Sequence, residues 1–161
     1  MAIKVGDTIP SVTMKQLTDE GMQDVVTDEF FKGRTVAVFG VPGAFTPTCS
    51  AKHLPGFIEN HGKLTGKGVD EIACVSVNDA FVMQAWGKDQ GAGGKVAMLA
   101  DGNGDFTRAI GMEIDASGFG MGKRSARYSL LVEDGVVKQV NVEEAPGQMK
   151  VSSAESMLDR L

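Results

Sequence analysis

The sequence contains little cysteine, no excess of positive charge and no long apolar run. Two cysteines among 161 residues are too few for the disulfide framework that stabilises small secreted domains. No stretch approaches the roughly 18–20 apolar residues that a membrane-spanning helix requires. The formal net charge of −5 disfavours binding to nucleic acid or to anionic lipid. These absences argue against a secreted scaffold, a membrane protein and a nucleic-acid-binding protein.

The beginning of the chain also lacks a targeting signal. Residues 1–7 have neither the basic and then apolar regions of a secretory signal nor the arginine-rich character of an organelle presequence. A cytoplasmic location is therefore expected, unless a leader was removed before residue 1. The length of 161 residues and the hydrophobic fraction of 42% suit one globular domain, which is expected to span residues 1–161.

Apolar runs of alternating strand and helix character predict an α/β fold. Asp134-Gly135 lies between two such runs and favours a hairpin. The order of the elements predicts a mixed central sheet with flanking helices, in which the last strands are antiparallel. Short runs rich in β-branched residues predict five strands, at 35–40, 72–77, 96–100, 127–132 and 136–140.

Helical patterns lie between these strands and after the hairpin. Residues 54–64 carry one apolar face, but the ring of Pro55 crowds the preceding turn, so a kink or break is expected there. The helix after residue 78 is expected to carry Val82, Ala85 and Trp86 on its buried side. The predicted caps of the last three helices are Asn78, Asn103 or Gly104, and Ser152 or Ser153.

The most informative segment runs from Pro42 to Cys49, directly after the strand at 35–40. Thr46 suits a helix N-cap, and Pro47 suits the first helical position. Cys49 then falls in the first turn, where unpaired N–H groups and the helix dipole stabilise an anion. The pattern predicts a reactive thiolate; a buried structural cysteine is the alternative.

A thiolate alone would attack many electrophiles, so a specific reaction, such as the reduction of a peroxide, would also need groups that bind the substrate oxygens. The Thr46 hydroxyl, one turn before Cys49, can donate and accept hydrogen bonds, although simple helix capping would also explain this residue. A distant arginine would hold the thiolate and polarise the peroxide. His53, four residues after Cys49, is interpreted as at most a polar neighbour of the site and otherwise as a surface histidine.

Pro42-x-x-x-Thr46-x-x-Cys49 resembles the active-site signature of peroxiredoxins, and the longer run 40–57 is similar to the type II subfamily. The resemblance covers nearly the whole chain, through 78–82 to Arg127-Tyr128-Ser129. It implies a thioredoxin-like fold without a Cys-x-x-Cys motif. It also implies thiol peroxidase activity on hydrogen peroxide and alkyl hydroperoxides, without a metal or a bound cofactor.

Individual roles follow from the match to the family's motif. Arg127 precedes an aromatic residue in the strand after the Gly-rich segment 117–122, as the family's active-site arginine does. Arg124 is the residue that sequence alone could confuse with it. The resemblance implies Cys49 as the peroxidatic cysteine, Thr46, Arg127 and Phe119 as substrate-binding residues, and Pro42 as a shield of the site.

Attack on peroxide leaves a sulfenic acid, which must then react with a second thiol. Cys74 lies within an apolar strand, where burial favours a structural cysteine over a second redox thiol. Some type II members carry a resolving cysteine near the last helix, but residues 148–154 contain none. The resemblance therefore implies an external reductant, either glutaredoxin with glutathione or thioredoxin. It also implies a homodimer.

Two other classes of function remain open at this point. A redox-sensing binding protein or chaperone, switched by oxidation of Cys49, would be oxidised once rather than turn over. A cysteine hydrolase would act on an ester or a peptide without added reductant.

Overall fold

A computed structural model describes residues 2–161, and its central feature is a mixed sheet with helices on both faces. Within these residues, no helix combines the length and apolarity needed to cross a bilayer. The predicted α/β fold is confirmed. In chain order the elements are β1 (Thr13–Thr18), β2 (Gly21–Val26), α1 (Thr27–Phe30), β3 (Thr35–Val41), a π-helical segment (Cys49–His53), α2 (Leu54–Glu59), α3 (His61–Gly66), β4 (Glu71–Ser76), α4 (Ala80–Gln90), β5 (Ala97–Ala100), α5 (Asp105–Ala109), β6 (Glu113–Asp115), a 3₁₀ turn (Ser117–Phe119), β7 (Lys123–Ser125), β8 (Tyr128–Glu133), β9 (Val136–Val142) and α6 (Ala154–Asp159).

Seven strands form the sheet in the order β2-β1-β5-β4-β3-β8-β9. β3, β4 and β5 are parallel to one another, whereas β1 runs antiparallel to β5 and β8 runs antiparallel to β3. All five predicted strands are present, and the last two form the expected antiparallel hairpin. The sequence did not predict the β1–β2 hairpin or the separate β6–β7 ribbon.

The two faces of the sheet bury separate apolar layers. Along β3, Phe39 points into a layer that contains Cys49, Cys74 and Trp86. Val38 points into the opposite layer, which the N-terminal segment, α1 and α5 cover. This alternation is the period of two that a β-strand imposes on its side chains. The site of interest therefore lies on the face covered by α2, α3, α4 and α6.

The helices begin and end differently from the prediction at two places. The segment 54–64 is broken at Asn60, between α2 and α3, and not at Pro55. Pro55 lies inside the helix that begins at position 47, directly after the π-helical turn. Asp79, not Asn78, caps α4, because its side chain accepts the N–H of Val82.

The buried face of α4 is also only partly as predicted. Trp86 is fully buried, but Ala85 is exposed and Met83 takes its place in the core. The last helix begins as expected, because the Ser153 side chain accepts the N–H of Ser156.

The antiparallel pairing of β3 with β8 brings two distant parts of the chain to one edge of the sheet. Gly40, near the end of β3, pairs with Tyr128, the first residue of β8. A Cβ atom on Gly40 would lie 2.1 Å from the Tyr128 ring, so only glycine fits under this ring. The residues that follow β3 and those that precede β8 are consequently neighbours in space.

Candidate active site

Cys49 lies at the start of the helix that follows β3. Helical residues begin at position 47, and Cys49 is the first residue of the π-helical segment. Its carbonyl accepts the N–H of Leu54, five residues later, where an α-helix would use the fourth residue. The side chain is fully buried and forms no disulfide. The predicted position of Cys49 in the first helical turn is confirmed.

Thr46 precedes this helix, but its hydroxyl does not cap it. The Thr46 carbonyl accepts the N–H of Ser50 at 2.9 Å. The hydroxyl donates instead to the carbonyl of Gly43 at 2.6 Å, so the prediction of a side-chain cap is wrong. Because its proton is engaged there, the Thr46 oxygen is left as a hydrogen-bond acceptor.

Arg127 immediately precedes β8 and reaches across to the cysteine. Its Nη2 donates to Cys49 Sγ at 3.2 Å, its Nη1 donates to His53 Nδ1 at 3.0 Å, and its Nε donates to the carbonyl of Pro146 at 2.9 Å. The side chain is only 2% exposed. Since the histidine and the carbonyl are neutral acceptors, the positive charge of the guanidinium remains available to an anionic sulfur.

Arg124, the other candidate from the sequence, does not make this contact. Its Nε donates to the carbonyl of Met121 at 2.9 Å, and its guanidinium lies beside Gly43. The structure therefore distinguishes the two arginines, and Arg127 is the one that contacts the thiol.

His53 is a polar neighbour of the site, one of its two interpretations from the sequence, and not a surface histidine. It is fully buried and lies against the rings of Phe39 and Phe57. Its Nε2 donates to the carbonyl of Ser152 at 2.9 Å, and its Nδ1 accepts from Arg127. Burial, and secondly the charge of Arg127, lower the pKa of His53 from 6.5 to about 3, despite the opposing effect of the Ser152 carbonyl. The imidazole is therefore neutral at physiological pH.

The buried neutral His53 makes the stability of the fold depend on pH. In the unfolded chain His53 takes up a proton below about pH 6.5, whereas in the folded chain it resists protonation down to about pH 3. Folding is thus favoured above pH 6.5 and progressively less favoured below it, by about 1.4 kcal/mol per pH unit.

We expect the free energy of unfolding to fall between pH 7 and pH 5 by about 2 kcal/mol more in the wild type than in a His53→Gln variant. Glutamine can accept from Arg127 and donate to Ser152 but does not titrate. Urea denaturation at pH 7, 6 and 5 measures this difference. Parallel pH dependence in the two proteins would show that His53 does not titrate as described.

A cavity of about 300 Å³ reaches Arg127, the residue in contact with the Cys49 sulfur, but Cys49 itself does not line it. Thr46 and Arg127 line it together with Pro42, and Phe119 lies at its edge with 84% of its surface exposed. The remaining wall is largely apolar, formed by Ile114, Ala116, Met121 and Pro146 among others. The residues that the sequence assigned to the site, except Cys74, are thus brought together, with Arg127 linking the cavity to the buried sulfur.

Cys74 lies on the same face of the sheet as Cys49 and is equally buried, but the guanidinium of Arg127 donates to Cys49 and not to Cys74. It is fully buried in β4, opposite Phe39 on one neighbouring strand and Met98 on the other. Burial, and secondly the nearby Cys49, raise the pKa of the Cys74 thiol well above its usual value, although Arg127 opposes this. A protonated, enclosed thiol is a poor nucleophile, which favours the structural interpretation of Cys74.

Two polar side chains fix the backbone on either side of Cys49. The Asn78 amide oxygen accepts the N–H of Ala44 at 3.0 Å and the hydroxyl of Ser76 at 2.6 Å, which ties the loop after β3 to the end of β4. Trp86 donates from Nε1 to the hydroxyl of Ser50 at 3.0 Å. Because Trp86 is the one tryptophan in the sequence, its fluorescence reports on the helix that carries Cys49.

The arrangement combines a buried sulfur, a cation in contact with it and an oxygen acceptor, and the cation and the acceptor, Arg127 and Thr46, line the same cavity. Such a group can attack an electrophilic oxygen and stabilise the charge that develops on the leaving group. Within residues 2–161, no cluster of three or more His, Cys, Asp or Glu side chains is arranged to hold a metal ion.

Comparison with known proteins identifies the family. The Redoxin family model matches residues 4–158. Peroxiredoxin-2E-2, chloroplastic, of Oryza sativa subsp. japonica is 54% identical, covering 99% of this chain and 72% of its own length. Peroxiredoxin-2B of Arabidopsis thaliana is 47% identical, with 99% and 98% covered.

Solved structures agree with the sequence relatives. Reduced Prx3 from Vibrio vulnificus, solved in complex with H₂O₂, is 52% identical, and the superposition covers 98% of each chain with a TM-score of 0.93. The resemblance to peroxiredoxins and the expected thioredoxin-like fold are thereby confirmed. Because the family match spans nearly the whole chain and these relatives share about half of its residues, the chain belongs to the Redoxin family, among the peroxiredoxins, which are thiol peroxidases.

Proposed function

We propose that Cys49 is the peroxidatic cysteine of this peroxidase and that an external thiol resets it after each turnover. The observation that carries the proposal is the contact between Arg127 and the Cys49 sulfur, 3.2 Å long, beside a cavity that Thr46 also lines. A cation in contact with the sulfur stabilises the thiolate, which is the nucleophilic form.

In the proposed reaction, the Cys49 thiolate attacks the terminal oxygen of the peroxide. An S–O bond forms while the O–O bond breaks, so the sulfur is oxidised to a sulfenic acid and the peroxide is reduced. The leaving hydroxide or alkoxide takes up a proton and departs as water or an alcohol. Arg127 stabilises the charge that develops on the oxygens, and the Thr46 oxygen accepts a hydrogen bond from the peroxide O–H. The H₂O₂ complex of the Vibrio vulnificus relative supports this substrate.

The apolar wall of the cavity supports alkyl hydroperoxides as further substrates. Pro42 and Phe119 would contact an alkyl group while the O–O group points towards Arg127. Hydrogen peroxide is smaller than this cavity of about 300 Å³, which also has room for a larger hydroperoxide.

The enclosed position of Cys74 supports an external reductant. A thiol R–SH attacks the Cys49 sulfenic acid, which forms a mixed disulfide and releases water, and a second thiol then releases reduced Cys49 and the disulfide of the reductant. Glutaredoxin with glutathione and thioredoxin are the two candidate systems. Either must reach Cys49 through the helix start, where Pro47 is exposed.

A peroxidase assay that compares glutaredoxin and glutathione with thioredoxin and its reductase tests this proposal. We expect sustained peroxide consumption with at least one of the two systems. Consumption of a single equivalent of peroxide with both would instead support the alternative function, a redox-sensing protein switched once by oxidation of Cys49.

We also propose a homodimer that packs near the active-site loops. Three phenylalanines support this: Phe45, Phe81 and Phe119 are 54%, 65% and 84% exposed, and exposed aromatic side chains are enriched at protein interfaces. Sedimentation equilibrium of the wild type and of a Phe45→Glu variant tests it, with a dimer expected for the first and dissociation for the second.

The cytoplasmic location stays a prediction, and two relatives are named chloroplastic. Fractionation of the native cells, with detection of the protein in the soluble cytoplasmic fraction, would decide it.

A further inference from the structure

The segment between β9 and α6, residues 143–153, is held in place by one carboxylate. The Glu143 side chain accepts the N–H groups of Lys150, Val151 and Ser152 at 2.9, 2.9 and 2.7 Å, and the Ser152 hydroxyl at 2.6 Å. The segment contains no helix or strand. The carboxylate therefore supplies the backbone hydrogen bonds that regular structure provides elsewhere.

Glu143 accepts these hydrogen bonds as an anion. The residue is 8% exposed, and burial by itself would raise its pKa. The bonds from Ser152 and from the N–H groups of Lys150 and Val151 outweigh this effect and lower the pKa of Glu143 below its usual value. Charge-assisted bonds of this kind are stronger and more directional than bonds between neutral groups.

The same segment supplies two carbonyls to the active site. The Pro146 carbonyl accepts from Arg127 Nε at 2.9 Å, and the Ser152 carbonyl accepts from His53 Nε2 at 2.9 Å. His53 in turn accepts from Arg127 Nη1 at 3.0 Å. The segment 143–153 therefore orients two of the three guanidinium nitrogens. It contacts Nε directly through Pro146, and it contacts Nη1 indirectly through the His53 imidazole.

We infer that Glu143 is a positioning residue for Arg127: by fixing the Pro146 and Ser152 carbonyls, it aims the third guanidinium nitrogen at the Cys49 sulfur and the peroxide. This inference rests on the proposed role of Arg127 in the reaction. Glu143 has no contact with Cys49 and acts only through Arg127. A planar guanidinium keeps one orientation only when its other N–H groups have fixed acceptors. A displacement of about 1 Å in such a group can lower a rate by about 10²-fold.

Glu143→Gln tests the inference because glutamine has the same shape but replaces one accepting oxygen with an NH₂ donor that faces backbone N–H groups. The matched control is Glu144→Gln, which makes the same change of charge at the exposed neighbouring residue. Two readouts are taken for each variant. One is the second-order rate constant with hydrogen peroxide in single turnover, followed by Trp86 fluorescence; the other is the pH profile of Cys49 alkylation by iodoacetamide.

We expect Glu143→Gln to lower the rate constant by about tenfold or more and to move the alkylation profile to higher pH, while Glu144→Gln changes neither. A rate within twofold of the wild type and an unchanged profile would overturn the inference. Should Glu143→Gln fail to fold, Ser152→Ala removes only one of the bonds to the carboxylate and must still shift both readouts in the same direction.

An Arg127→Lys background separates positioning from a merely structural role. If Glu143 acts through Arg127, Glu143→Gln adds less than about threefold to the loss caused by Arg127→Lys, since two residues in one network are not additive. If Glu143→Gln lowers the rate constant as much in the Arg127→Lys background as in the wild type, Glu143 does not act by positioning Arg127. If Arg127→Lys alone leaves the rate unchanged, the proposed role of Arg127 fails instead, so the two failures are distinguishable.

Discussion

Replacing Cys49 by serine is expected to reduce peroxide consumption to the background rate, while replacing Cys74 by serine leaves most of the activity. A serine hydroxyl at position 49 cannot become the nucleophile at neutral pH or carry the oxidised state, whereas Cys74 lies buried and protonated in β4. Consumption of hydrogen peroxide with the glutaredoxin and glutathione system measures both effects.

Cys74→Ala serves as the control for packing. A hydroxyl in the fully buried position of Cys74 has a desolvation cost, so the serine variant can lose stability without any loss of chemistry. The alanine variant avoids this cost. Equal loss of activity in the Cys49 and Cys74 variants, with both still folded, would exclude a cycle that depends on an external thiol.

Arg127→Lys is expected to lower kcat/KM for hydrogen peroxide by about 10²–10³-fold. Lysine keeps the charge but has one ammonium in place of a planar group, so it cannot hold Pro146, His53 and Cys49 at the same time. The effect is expected mainly in the rate of sulfenic acid formation, which rapid mixing with peroxide in the absence of reductant isolates.

Arg124→Lys is the matched control for this prediction. Arg124 lies three residues earlier and donates to the carbonyl of Met121 rather than to Cys49, so its replacement is expected to change kcat/KM by less than about threefold. A larger loss in Arg124→Lys than in Arg127→Lys would mean that the wrong arginine has been assigned to the site.

The sequence predicted the parts of the site that depend on local structure. Pro47 and the strand before it determine where the helix begins, and this places Cys49 in the first turn. The antiparallel order of the last strands brings Arg127 to the same edge of the sheet, but only the match to the family's motif distinguished it from Arg124. In the structure, Tyr128 pairs with Gly40 near the end of β3, and this places its neighbour Arg127 beside the segment that carries Cys49.

The supporting groups could not be predicted because they depend on contacts between distant segments. His53 follows Cys49 by four residues and is buried, and its partners, Arg127 and the Ser152 carbonyl, lie in distant parts of the chain. Glu143 gave no signal in the sequence, since its partners are backbone N–H groups of an irregular segment. Thr46 was correctly placed, but a carbonyl within its own turn competes for its hydroxyl.

The central claim is that peroxide converts Cys49, and not Cys74, into a sulfenic acid that waits for an external thiol. Reduced protein treated with one equivalent of hydrogen peroxide and dimedone, and then analysed by peptide mass spectrometry, tests it most directly. We expect one dimedone adduct on the peptide that contains Cys49 and a free thiol at Cys74. An adduct on Cys74, or a disulfide between Cys49 and Cys74 in place of any adduct, would contradict it.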